Sequence, residues 1–146
     1  MKLMKRRSFL IWMGLGWLAS VLPVAIAACT SQFKRFESKP RPDGFQAIGT
    51  VAELEQFPGT IQVQVDSTPV IAIRHPSQPG ALVALNPTCP HAGCKVDWQK
   101  DNSKYVCPCH GSEFDPSGKV IRGPAARNLT SYPTKAEDQS ILVKLG

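Results

Sequence analysis

The chain has 146 residues, 42% of them hydrophobic and 19% charged, with five cysteines and a formal net charge of +6. That length bounds it to one small domain plus appendages, with a modest core of the kind that a metal or disulfide often supports. The charge carries no nucleic-acid reading: from Asp43 to the end there are nine basic and ten acidic residues, so the excess belongs to the N-terminal segments and the head is about neutral.

Residues 1–8 form a basic leader with Lys2, Lys5, Arg6 and Arg7, and the twenty residues from Phe9 to Ala28 carry no charge. Such a run is long enough to span a bilayer and equally fits an export signal. The cations ahead of it keep the N-terminus cytoplasmic, which places the rest of the chain on the exported face. Arg6-Arg7-Ser8-Phe9-Leu10 resembles a twin-arginine signal, an export route for chains that cross already folded. The run ends Ile26-Ala27-Ala28-Cys29, similar to a lipobox in which Cys29 becomes the lipidated first residue; the alternative is an uncleaved transmembrane helix. Either way the head is tethered to a membrane, on the periplasmic side of a plasma membrane or in a thylakoid lumen. Residues 29–44, with Pro40 and Pro42, read as a flexible linker.

From residue 45 to 146 the pattern turns to short β-type runs broken by turn residues. Ile48–Val51 is an expected strand, and Ile61-Gln62-Val63-Gln64-Val65 alternates as a half-buried strand does. Val70–Ile73 and Ala81–Leu85 follow, separated by a turn at 75–80. Lys104–Val106, Lys119–Ile121 and Ile141–Leu145 complete the set, with a tight turn at Asp115-Pro116-Ser117-Gly118. Only Val51–Gln56 reads as a helical turn. The expected class is all-β, a small antiparallel sandwich.

The chemistry concentrates between Cys89 and Ser112, twenty-four residues that hold four of the five cysteines and two of the three histidines. They read Cys89-Pro90-His91-Ala92-Gly93-Cys94, twelve residues, then Cys107-Pro108-Cys109-His110-Gly111-Ser112: two Cys–His hooks, each with one further thiol. Sulfur and imidazole suit iron–sulfur clusters and zinc. Plain disulfides leave the histidines unexplained, a catalytic Cys–His pair needs only one of each, and a structural zinc module of this kind belongs mostly to reducing compartments. A 2Fe–2S cluster held by two thiolates and two imidazoles is the reading that remains.

The two boxes, with Asp115-Pro116-Ser117-Gly118-Lys119-Val120-Ile121-Arg122-Gly123-Pro124-Ala125 after them, resemble the Rieske iron–sulfur proteins, in particular the disulfide-containing group of cytochrome bc-type complexes. The resemblance spans roughly residues 82–130. It implies three small antiparallel sheets with the cluster-binding loops at one tip, Cys89 and Cys107 on one iron, His91 and His110 on the other, and a Cys94–Cys109 disulfide tying the loops. It implies one cluster per chain and a one-electron carrier between a quinol, or a quinol-oxidising complex with a cytochrome b-type subunit, and a c-type cytochrome or copper protein. A stand-alone tethered redox protein, or the small subunit of another exported oxidase, is the alternative. Two neutral imidazoles leave the oxidised centre with less negative charge than four thiolates do, which raises the potential into a range of roughly −150 to +300 mV.

Departures from the family pattern lie around the cluster. Ser112 matches a serine whose hydroxyl bonds a bridging sulfide, with Gly93 and Gly111 beside the ligands. Two residues further, high-potential relatives carry a tyrosine where this chain has Phe114, so an intermediate potential is expected. Pro90 and Ala92 replace the usual neighbours of the first histidine, and Gly123-Pro124-Ala125-Ala126 replaces Gly-Pro-Ala-Pro; Pro90, Ala92 and Pro124 lie at the expected docking tip. His75 reads as a loop residue, Trp98 and Tyr105 as core or cluster-shielding residues. No carboxylate pair among Asp97, Asp101, Glu113 and Asp115 signals acid–base catalysis.

Overall fold

The computed structural model of the chain describes residues 34–35, 39, 41–56 and 58–146; the expected signal or membrane helix, the lipidation site at Cys29 and most of the expected linker lie outside the described residues. Among the described residues no helix is long and apolar enough to cross a membrane.

The alternating segment becomes strand β3 (Thr60–Val65), with Ile61, Val63 and Val65 buried and Gln62 exposed, as a two-residue side-chain period demands. β4 (Thr68–Arg74) runs antiparallel to it, with Val63 opposite Val70, and β5 (Leu82–Leu85) continues the sheet, with Ile71 opposite Leu85. β10 (Ser131–Tyr132) pairs with β5 at one edge. At the other edge β1 (Lys34–Arg35) runs parallel to β3. β1 lies within the stretch read as a linker, and residues 33–146 form one compact unit, so the head gathers part of that stretch as an edge strand.

β4 is the strand around which the interior divides. Val70 and Ala72 face a core with Ile48, Ile61, Val63, Ala84, Ile141 and Val143, whereas Ile71 and Ile73 face a second core with Leu85, Cys89, Tyr105, Cys107 and Phe114. A strand buried on both faces must be apolar without interruption, which is why Val70–Ile73 reads as an unbroken run. Each of its two isoleucines contributes about 1.5–3 kcal/mol through burial.

The first core is closed by the sheet β11 (Thr134–Glu137), β12 (Ser140–Lys144) and β2 (Phe45–Thr50), in that order. Helix α1 (Val51–Glu55) leaves β2 through a capping box: the Glu53 N–H donates to the Thr50 hydroxyl at 3.3 Å, and the Thr50 N–H donates to the Glu53 carboxylate at 2.7 Å. Replacing Thr50 by Ala removes half of that exchange and is expected to lower stability by about 1 kcal/mol; an unchanged urea midpoint would show that the cap contributes nothing.

The second core is covered by β6 (Asp97–Gln99), β7 (Lys104–Val106), β8 (Glu113–Phe114) and β9 (Val120–Arg122), an antiparallel sheet in sequence order. Among the described residues the architecture is therefore the expected three small sheets and short helix, with a 3₁₀ turn at Lys100–Asn102 and with β1–β3 a parallel pair.

Candidate metal centre

The two Cys/His boxes are hairpin tips. Loop 1, Cys89–Cys94, sits on an isolated bridge between Thr88 and Lys95; loop 2, Cys107–Ser112, sits on β7 and β8, where Val106 pairs with Glu113. Both close with one hydrogen-bond pattern. In loop 1 the Cys89 N–H donates to the Cys94 carbonyl at 2.7 Å and the Gly93 N–H to the Cys89 carbonyl at 2.9 Å. In loop 2 the Cys107 N–H donates to the Ser112 carbonyl at 2.8 Å and the Gly111 N–H to the Cys107 carbonyl at 2.9 Å. The fifth residue of each turns with positive φ, 76° at Gly93 and 70° at Gly111. A Cβ at either place would meet nothing within 4 Å, so backbone conformation rather than crowding selects glycine there.

The symmetry belongs to the backbone and not to the side chains. In equivalent places stand Cys89 and Cys107, then His91 and Cys109, then Ala92 and His110, then Cys94 and Ser112. Reading the boxes as two like hooks misses this offset, which sets the two cysteines of the cross-link at different loop positions. Cys94 and Cys109 form a disulfide, their Cα atoms 6.5 Å apart. The sulfur of Cys107 lies beside it, the three sulfurs being within 4.8 Å of one another. Two of these three are bonded to each other, so the trio is no ligand set.

What remains is two free thiols and two imidazoles. Cys89 and Cys107 are both 1% exposed and belong to the second core. His91 and His110 are exposed, their rings edge to face with centroids 4.7 Å apart. Buried soft donors on one side and exposed imidazoles on the other fit a binuclear iron–sulfur group whose histidine end faces outward. Of the expected tip residues, Ala92 and Pro124 are exposed and Pro90 is half-buried.

Ser112 and Phe114 are both fully buried. The Ala125 N–H donates to the Ser112 hydroxyl oxygen at 3.0 Å, which docks the 123–126 loop, with its cis Gly123–Pro124 bond, onto loop 2. That bond occupies a lone pair and leaves the hydroxyl proton for another acceptor. Loop 1 is braced by Asn86, which sequence reasoning passed over. The Asn86 side chain accepts from the Thr88 N–H at 2.9 Å and donates to the Tyr132 hydroxyl at 3.2 Å, while its backbone N–H donates to the Thr130 carbonyl at 2.8 Å. The Asn86-Pro87 pair was a legible turn signal for it. His75, also half-buried, accepts from the Ser77 N–H at Nδ1 and meets the Ser117 hydroxyl at Nε2, 3.4 Å away, so it is a loop brace.

One residue beyond loop 2, Glu113 bridges three strands. It meets Lys104 on β7 at 3.0 Å and Arg122 on β9 at 3.3 Å. The Lys104 hydrogen bond, joined by the charges of Lys104 and Arg122, holds the Glu113 carboxyl below its ordinary pKa. A lowered folded-state pKa contributes stability above the ordinary glutamate range and loses it as pH falls through the lowered value. The sheet bearing loop 2 is therefore expected to loosen on acidification, followed by Trp98 fluorescence; Glu113→Gln should flatten that acid limb, and an unaltered limb would assign it elsewhere.

Tyr105 is fully buried, pairs directly across from Phe114, and stacks at a tilt on Trp98 with centroids 4.7 Å apart. Burial, aided by the charge of Asp115, pushes its phenol above the ordinary tyrosine range. Its hydroxyl has no hydrogen-bond partner among the described residues.

This donor set, at the tip of three small antiparallel sheets, defines an iron–sulfur electron-transfer domain. The Rieske 2Fe-2S domain family matches residues 44–133, and the chain belongs to it. Its cofactor is accordingly a 2Fe–2S cluster. The chain is 48% identical over 60 residues to the cytochrome b6-f complex iron-sulfur subunit of Prochlorococcus marinus (strain AS9601), a match over 41% of this chain and 34% of that protein. The chain thus spans about a third of the length of the curated relatives it matches. Among solved structures, the plasma membrane Rieske protein PetC3 from Synechocystis PCC 6803 is 43% identical with a TM-score of 0.63, covering 68% of this chain and 98% of that one. The ferredoxin of carbazole 1,9a-dioxygenase from Nocardioides aromaticivorans IC177 shares the fold at 20% identity with a TM-score of 0.58, covering 70% of this chain and 98% of that one.

Proposed function

We propose that the head is a one-electron carrier in which Cys89 and Cys107 hold one iron of the cluster and His91 and His110 the other. The observation that carries this reading is the Cys94–Cys109 disulfide, which withdraws two of the four local thiols and leaves one buried thiol and one exposed histidine in each loop. The bound group supplies reversible one-electron transfer. The chain's own residues do the rest: the second core holds the thiols away from water, and the exposed imidazoles present the end at which a partner approaches and at which a proton can accompany the electron.

The donor we infer is a quinol, reached through a quinol-oxidising membrane complex, and the acceptor a c-type cytochrome or copper protein. The b6-f subunits among the relatives support this assignment, and the basic leader followed by an uncharged run supports a tether on the exported face. A second reading, a stand-alone tethered redox protein, is favoured by the small exposed Ala92 and Ala126 at the tip. Gentle detergent extraction of the tagged full chain decides between them. Co-purification of a cytochrome b-type subunit is the expected result, and a chain that carries its cluster but emerges alone would favour the second reading.

A further inference from the structure

We propose that the Tyr105 hydroxyl donates a hydrogen bond to a sulfur of the cluster site, a ligand thiolate or a bridging sulfide, and so supplies from β7 the hydroxyl that Phe114 lacks on β8. The inference rests on the cluster assignment above and extends it to a residue that belongs to neither Cys/His box.

A buried hydroxyl without a partner is destabilising, so a native structure that keeps one calls for an acceptor. Tyr105 is 0% exposed and its oxygen is unpartnered among the described residues. The other such atom, Gln46 Oε1, lies on β2 in the sheet that closes the first core. The cross-strand neighbours of Tyr105, Trp98 and Phe114, are aromatic rings, and the Asp115 carboxylate, whose charge reaches the phenol, accepts instead from the Ser117 and Lys119 N–H groups at 2.8 and 2.9 Å. Tyr105 shares its core with both free cysteines. It also precedes Cys107 by two residues, so along the strand direction the two side chains leave the same face. An anionic sulfur is an acceptor the apolar core does not otherwise provide. Donors to cluster sulfur favour the reduced form, in which that sulfur carries more charge. Tyr105 and Phe114 are directly paired, so the hydroxyl has moved across one strand pair. This would offset the lower potential that Phe114 alone implies.

The test uses the full chain with its cluster and the variant Tyr105→Phe. Iron and sulfide content should be unchanged, while the reduced form loses stability about tenfold, a fall in midpoint potential of about 59 mV for one electron. In deuterated buffer, electron–nuclear double resonance of the reduced wild type should show, beside the deuterons of Ser112 and the two histidines, one further exchangeable deuteron coupled to the cluster, and the variant should lack that one. A loaded variant with the wild-type potential and the same deuteron overturns the proposal and assigns the hydroxyl to a buried water. Should the variant not fold, the chain's two tyrosines allow a second route: with Tyr132→Phe, 3-fluorotyrosine enters at Tyr105 alone, and the stronger donor should raise the potential. No change there overturns the proposal equally. A wild-type chain without iron is a different result, one that removes the cluster assignment and this inference together.

Discussion

Cys107→Ser is expected to give a folded but colourless chain, with iron retention reduced by at least about a hundredfold, the upper end of what even an outer-sphere change costs a metal site. Cys107 opens loop 2, is 1% exposed, and is a free thiol in the core that also holds Cys89, Tyr105 and Phe114. Serine keeps the backbone N–H and carbonyl that close the loop onto Ser112 and Gly111, so the loop itself should persist. What it removes is the soft donor, leaving a hard oxygen that suits iron–sulfur chemistry poorly. The first core, on the opposite face of β4, should be untouched, and its secondary structure by circular dichroism serves as the control. Iron at the wild-type level in this variant would dismiss Cys107 as a ligand. His91→Ala should lose iron as well, but from an exposed position that leaves core packing intact.

Removing the disulfide, with Cys94→Ala and Cys109→Ala together, is expected to cost the cluster-free chain about 3 kcal/mol, the amount associated with closing a loop of fifteen residues. The cluster-free chain is the right reference, because a bound cluster would itself join the two loops and mask the loss. The urea midpoint should fall with the slope unchanged. In the loaded protein the same substitutions should speed cluster loss on exposure to chelator, since only the metal then clamps loop 1 to loop 2. Equal midpoints with and without the cross-link would mean that the sheets below the loops already hold them together.

Much of this was legible along the chain. Alternation marked β3, an unbroken apolar run marked β4, and α1 forms where a helical turn was expected. The strands passed over were β1, β6, β8, β10 and β11, of two to four residues each, too short for a period to show. β11 had a further disguise. It joins β12 through Asp138 and Gln139, both with positive φ, without the glycine that usually announces such a turn. Asn86 was passed over because its three partners come from Thr88, Thr130 and Tyr132, two of them over forty residues away.

The sequence by itself determined the donor types, their spacing, the β class and the family, because these depend on side-chain chemistry and short-range periodicity. The family resemblance carried by those motifs already implied the Cys94–Cys109 pairing that the structure shows. Tertiary structure alone decided which donors are buried and which exposed, and that Ala125 reaches Ser112. It also decided that Tyr105 ends in a hydroxyl with nothing in the apolar core to receive it. Each of these depends on chain segments brought together across the two faces of β4 and between two loops, and no local pattern records how deeply a donor is buried or which of two neighbouring rings will meet what.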